Sequence, residues 1–149
     1  MTARAGCIRS IMGRREQLDL WTPAMSDHNH TVRLACDIGD LHLARANTRG
    51  WIDSAGFDSD DAVLVASELL TNAIVHAGSA PTLTVRIGHD HIRLEVSDQS
   101  SVPPRISGRA DGGGGFGLRV VDVASRAWGW IPNASGKTVW SEVAARRRP

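Results

Sequence analysis

Three short segments of this chain have residue types and spacings suited to phosphate and proton chemistry. In Ser67-Glu68-Leu69-Leu70-Thr71-Asn72-Ala73-Ile74-Val75-His76-Ala77, the polar residues Glu68, Asn72 and His76 recur every four positions. On a helix that interval stacks them on one face, and Asp61 falls on the same side. A carboxylate in such a row can take a proton from a nucleophile. A carboxamide oxygen is a hard ligand suited to Mg²⁺. The plain alternative is a helix capped by polar residues at a domain edge, with His76 favoured near the C-terminus by the helix dipole. Asp98 is the second feature, at the close of an alternating stretch. As an acceptor it suits the exocyclic amino group of adenine and repels the carbonyl of guanine. Such a charge-assisted bond is worth roughly 1.5–3 kcal/mol. An Asp capping its own turn is the plain alternative. The third segment is Asp111-Gly112-Gly113-Gly114-Gly115-Phe116-Gly117-Leu118. Its glycines leave successive backbone N–H groups free to approach an anion. The helix that follows points its N-terminus at the same place. A linker is the plain alternative, but this segment runs straight into an amphipathic helix. It is neither the Lys-containing phosphate loop nor a strand-led dinucleotide fingerprint.

These segments need elements to hold them. The alternation Thr31–Ala35 predicts a strand, and residues 41–52 predict a helix with Asp40 as cap. A central helix runs to Ala77, capped by Ser59 or Asp58 and stopped by Gly78. Ala62, Ala66, Leu69, Leu70, Ala73 and Ala77 form its apolar face. Residues 81–87 and 91–96 alternate and predict an antiparallel hairpin, with Thr, Arg and Glu on the uncovered face. After the long irregular stretch 98–117, Leu118–Ala127 predicts a helix. Residues 128–131 and 137–143 predict two strands joined by the turn Asn133-Ala134-Ser135-Gly136. The order indicates an α+β two-layer sandwich, a mainly antiparallel sheet with helices on one face.

At 149 residues the chain suits one domain. Residues 1–29 give no sustained period and are expected to form a poorly ordered arm; the domain is expected over 30–145, with a solvated basic tail at 146–149. The net charge of +1 attracts neither nucleic acid nor anionic membrane. No apolar run reaches the length of a membrane span or a signal peptide core. Cys7 and Cys36 match no metal or redox spacing, which suits a reducing compartment, so the expected location is cytoplasmic. His28-Asn29-His30 and His89-Asp90-His91 lack further metal ligands in sequence reach.

The order and spacing of the three segments resemble the GHKL ATPase superfamily of gyrase, the heat-shock chaperone, histidine kinases and mismatch-repair ATPases. Glu68-Leu69-Leu70-Thr71-Asn72-Ala73 resembles its N box, Asp98 its adenine-binding aspartate, and Gly113–Leu118 its second glycine box and lid. The compact size, Asn72-Ala73-Ile74-Val75-His76-Ala77 and the ending Gly136-Lys137-Thr138-Val139-Trp140 are most similar to the stand-alone anti-sigma kinases. The resemblance implies the Bergerat-type ATP-binding fold and ATP with Mg²⁺ as cofactors. It implies Glu68 as general base, Asn72 as Mg²⁺ ligand, and Asn72, Asp98, Gly113, Gly115, Gly117 and Leu118 at the nucleotide. Arg105, Arg109 or Arg119 would assist the phosphates. The implied function is an anti-sigma factor in transcription regulation, with Ser/Thr protein kinase activity toward an anti-anti-sigma antagonist. Its partners would be a sigma factor and that antagonist, with a homodimer also expected. The alternative is an ATP-gated partner-binding module that transfers no phosphoryl group.

Two positions depart from the family pattern. Ser100 stands two residues after Asp98, where a Gly is frequent. Lys137 follows Gly136, where a Thr is frequent, and Thr138 is displaced by one. On a strand, one residue changes the face.

Overall fold

The computed structural model describes residues 28–33, 38–104 and 116–149. In chain order its elements are strand β1 (His28–Arg33), helix α1 (Ile38–Ser54), helix α2 (Asp60–Ala77), strands β2 (Thr82–Ile87) and β3 (His91–Asp98), helix α3 (Phe116–Ala124), and strands β4 (Ala127–Pro132) and β5 (Lys137–Ala144). The five strands form one sheet in the order β1-β2-β3-β5-β4, and every neighbouring pair is antiparallel. The fold is α+β, as the alternation and helical periods imply.

Register explains which side chains enter the core. Leu83, Val85 and Ile87 of β2 lie beside Val96, Leu94 and Ile92 of β3, and all six are buried. Helix α2 packs on β3 and β5 and touches α1 on one flank and α3 on the other. It buries Ala62, Val65, Ala66, Leu69, Leu70 and Ala73. Complete burial of a Leu or Val side chain contributes about 1.5–3 kcal/mol. Gly78, with φ of 59°, ends α2 in the left-handed conformation that glycine adopts without strain.

Several boundaries differ from expectation. Strand β1 begins at His28, two residues before the boundary expected at residue 30, because the ladder continues through His28↔Ile87 and Asn29↔Arg86. Residues 1–27, and Leu34 and Ala35 of the predicted first strand, lie outside the described residues. Asp40 sits inside the first turn of α1 and does not cap it, though an acidic residue there still suits the dipole. Ser59 occupies the cap position of α2, but its hydroxyl donates to Asp53 Oδ1 at 2.8 Å. Asp58 Oδ1 instead accepts from the Asp60 N–H at 2.9 Å. Helix α3 stops at Ala124, three residues early, because Ala127 enters β4 opposite Glu142. The Ser125 and Ser141 hydroxyls fix that corner at 2.7 Å.

The basic tail is exposed, and its backbone is pinned to the loop before α2. Asp58 N–H donates to the Arg146 carbonyl at 2.8 Å, and Arg148 N–H to the Gly56 carbonyl at 3.0 Å. The Arg147 guanidinium lies 4.5 Å from the centre of the Phe57 ring. Arg146 faces Asp61 at 3.6 Å, and Asp61 stands in the first turn of α2, remote from His76 in the last. Arg93 was expected on a solvated sheet face, but it is buried. It spans Glu95 (2.7 Å) and Glu142 (3.2 Å) above the Trp140 ring. Trp51 stacks on His30 at 4.6 Å, joining α1 to β1. At the β2–β3 turn, a hydrogen bond from His91 holds the Asp90 carboxyl below its ordinary range.

This packing makes a stability prediction. Leu70→Ala, at 1% exposure, should cost about 2–5 kcal/mol. Gly50→Ala, on α1 with nothing near the added Cβ, should stabilise by about 0.5–1 kcal/mol. Urea unfolding midpoints measure both, and equal midpoints for the two variants would contradict this account of the core.

Candidate functional site

Once Leu69, Leu70 and Ala73 are committed to the sheet, the four-residue period leaves Glu68, Asn72 and His76 in one row on another side of α2. Glu68 and Asn72 are half-buried and His76 is exposed. Among the described residues, neither the Glu68 carboxylate nor the Asn72 carboxamide is engaged in a hydrogen bond. The position of α2 is set from behind by Arg45 of α1, whose Nε donates to Ser67 Oγ at 2.6 Å.

A cavity of about 390 Å³ opens beside this row. Helix α2 contributes Leu69, Asn72, Ala73 and His76 to its wall. Strand β3 contributes Val96 and Asp98, β5 contributes Lys137 and Val139, and α3 contributes Leu118. Ser100, Val102, Pro103 and Pro104 close one side. The lining is mostly apolar with a few polar groups, the usual make-up of a small-molecule site.

The polar end of the cavity is built by the last step of the β3–β5 ladder. Asp98 and Lys137 are directly opposite, and both side chains are buried. Lys137 Nζ donates to Asp98 Oδ1 at 3.0 Å, and the Ser100 N–H donates to the same oxygen at 2.8 Å. Among the described residues, Asp98 Oδ2 accepts no hydrogen bond. The turn-capping reading of Asp98 is therefore realised on one oxygen, and the other stays available. Ser100 makes its contact through the backbone, so Ser in place of the frequent Gly costs this bond nothing. Gly136 is required here, because an added Cβ would collide with the Asp98 carbonyl and stand 2.7 Å from the carbonyl carbon of Gln99.

Gly117, in the first turn of α3, meets the helical row from the other side. A Cβ built on it would lie 2.6 Å from Glu68 Oε2 and 3.7 Å from Asn72 Oδ1. Glu68, Asn72 and Gly117 are thus brought together, with Glu68 just beyond the cavity wall. Leu118 is buried and lines the cavity. Gly113 and Gly115 lie outside the described residues, as do Arg105 and Arg109; Arg119 is exposed on α3.

Thr138 points away from the site, its hydroxyl 2.8 Å from Ser97 Oγ, as a one-residue displacement requires. Lys137 is the residue that sequence reasoning missed. Its signal was phase, since it alternates with Val139 and Val143 and so shares their core-facing side. His76, assigned to the helix dipole, stands on the cavity wall. Among the described residues, no three His, Cys, Asp or Glu side chains gather to hold a metal ion, and no helix is long and apolar enough to cross a membrane.

Comparison with known proteins gives the family. The profile described as histidine kinase-, DNA gyrase B-, and HSP90-like ATPase matches residues 57–147, more than half of the chain. Among solved structures, the chain is similar to the RsbU and RsbW domains of Rv1364c from Mycobacterium tuberculosis, with a TM-score of 0.60 and 20% identity. That likeness covers 80% of this chain and 33% of the other, and it concerns the fold. No curated protein sequence matches. The matched span contains Glu68, Asn72, Asp98, Gly117 and Leu118, and this chain belongs to the histidine kinase-, DNA gyrase B-, and HSP90-like ATPases.

Proposed function

We propose that this protein binds Mg-ATP and acts as a partner-switching regulator. In this reading it is an anti-sigma factor that phosphorylates a Ser or Thr of an anti-anti-sigma antagonist. The observation that carries the nucleotide part is the cavity itself: Asp98, with one carboxylate oxygen unpartnered among the described residues, and Asn72 both line it, and Glu68 and Gly117 meet Asn72 just beyond its wall. The family match supports ATP, and the named RsbW domain of the similar structure supports the regulatory reading.

The donor set fits the cofactor. Asn72 Oδ1 is a hard oxygen, suited to Mg²⁺. With no three-residue ligand cluster among the described residues, Mg²⁺ here would take its remaining ligands from phosphates and water, as this ion ordinarily does. Bound Mg-ATP supplies the transferable phosphoryl group and the charge that offsets it. The chain's own residues do the rest. Asp98 accepts from the base, while Leu69, Ala73 and Leu118 exclude water from its faces. Gly117 leaves room beside Glu68 and Asn72, and backbone N–H groups at the start of α3 face the anion. Glu68 takes the proton of the acceptor hydroxyl.

Phosphoryl transfer from γ-labelled ATP to an antagonist protein should fall by about 10²–10⁴-fold in Glu68→Ala. ATP affinity should stay within about tenfold. Transfer unchanged in this variant would remove Glu68 from the reaction, and ATP binding without transfer to any acceptor would leave a binding module in place of a kinase. Gly117→Ala, whose Cβ would displace the Glu68 carboxylate, should lower phosphoryl transfer by about tenfold or more while ATP affinity in equilibrium dialysis stays within about tenfold. Wild-type transfer in that variant would contradict the placement of Glu68 in the reaction.

A further inference from the structure

Lys137 is a charged side chain on the core-facing row of the sheet. The row reads Ile92 opposite Val143, Leu94 opposite Ser141, Val96 opposite Val139, then Asp98 opposite Lys137. The side chains of the last pair are 2% and 7% exposed. Removing two charges from water is costly, and an apolar pair at that step would pack without the penalty. A buried ion pair is therefore weak as a stability device and points to a task.

The geometry indicates which task. An ammonium has three N–H donors. One goes to Asp98 Oδ1 at 3.0 Å and a second reaches the Ser100 carbonyl at 3.4 Å. Among the described residues the third has no acceptor, just as Asp98 Oδ2 has no donor. Both residues line the same cavity. Its polar end therefore offers one hydrogen-bond donor beside one acceptor. Adenine carries the matching pair on its edge, the N6 amino donor beside the N1 acceptor.

We propose that Lys137 reads the base, its ammonium donating to the N1 of adenine while Asp98 Oδ2 accepts from the N6 amino group. This rests on the nucleotide site proposed above and adds a residue to it. Lys137 also holds Asp98 in place through Oδ1, so the acceptor is oriented before the base arrives.

The test is calorimetric titration of the wild type, Lys137→Met and Lys137→Gln with ATP and with 1-deaza-ATP, both with Mg²⁺. The analogue replaces N1 by C–H and keeps the amino group. The wild type should lose about tenfold or more in affinity on going from ATP to the analogue, as expected for a hydrogen bond to a charged group. Lys137→Met should bind the two alike, and Lys137→Gln, which keeps a neutral N–H donor, should retain part of the difference. Circular dichroism checks the fold, and the Gln variant carries the comparison if the Met variant does not fold. Equal wild-type affinities, or an undiminished difference in the variants, would overturn the role of Lys137 alone. No binding of ATP to the wild type would overturn the nucleotide site and this inference with it.

Discussion

The site exists because α2 is held on the sheet by one face while a second face remains polar. Leu69, Leu70 and Ala73 fix its rotation against the core, and that rotation sets where Glu68, Asn72 and His76 stand. A turn of the helix about its axis would bury a carboxylate and expose leucines, and each leucine is worth about 1.5–3 kcal/mol in place. The core thus positions the polar row more firmly than any hydrogen bond within it does. Arg45 on Ser67 and the docking of the C-terminal arginines around Phe57 and Asp58 brace the same helix from outside.

A second constraint lies at the end of the β3–β5 ladder. The backbones approach closely at Asp98 and Gly136, which only a residue without Cβ permits. That approach puts Asp98 and Lys137 opposite one another on the core side, where neither would rest without the other. Strand register therefore defines the polar end of the cavity, and helix rotation defines the other. The apolar wall between them, from Leu69, Val96, Val139 and Leu118, suits a flat ring.

Much of this was legible in the sequence. The period of α2, its stop at Gly78 and the alternation of β2 and β3 are local signals, and they survived because burial reinforced them. Asp98 was legible as a strand-end acceptor, and the structure engages one of its oxygens with Lys137 and Ser100 and gives the other no partner among the described residues. Other features depend on contacts distant in sequence. Arg93 is buried because Glu95, Glu142 and Trp140 surround it, and no local pattern of Thr, Arg and Glu announces that. Arg146 and Arg148 dock because Asp58 and Gly56 offer backbone partners 88 and 92 residues earlier. The burial of Lys137 was legible in its phase with Val139 and Val143, but its charge pointed to solvent. The glycines at 113 and 115 rest on the sequence alone.

The most direct test is calorimetry of ATP binding, with and without Mg²⁺, to the wild type, Asn72→Ala and Asp98→Asn. The account predicts micromolar-range, Mg²⁺-dependent binding to the wild type that both substitutions abolish while thermal unfolding remains cooperative. Folded wild-type protein that gives no heat with any nucleotide, or that binds ATP unaffected by either substitution, would contradict it.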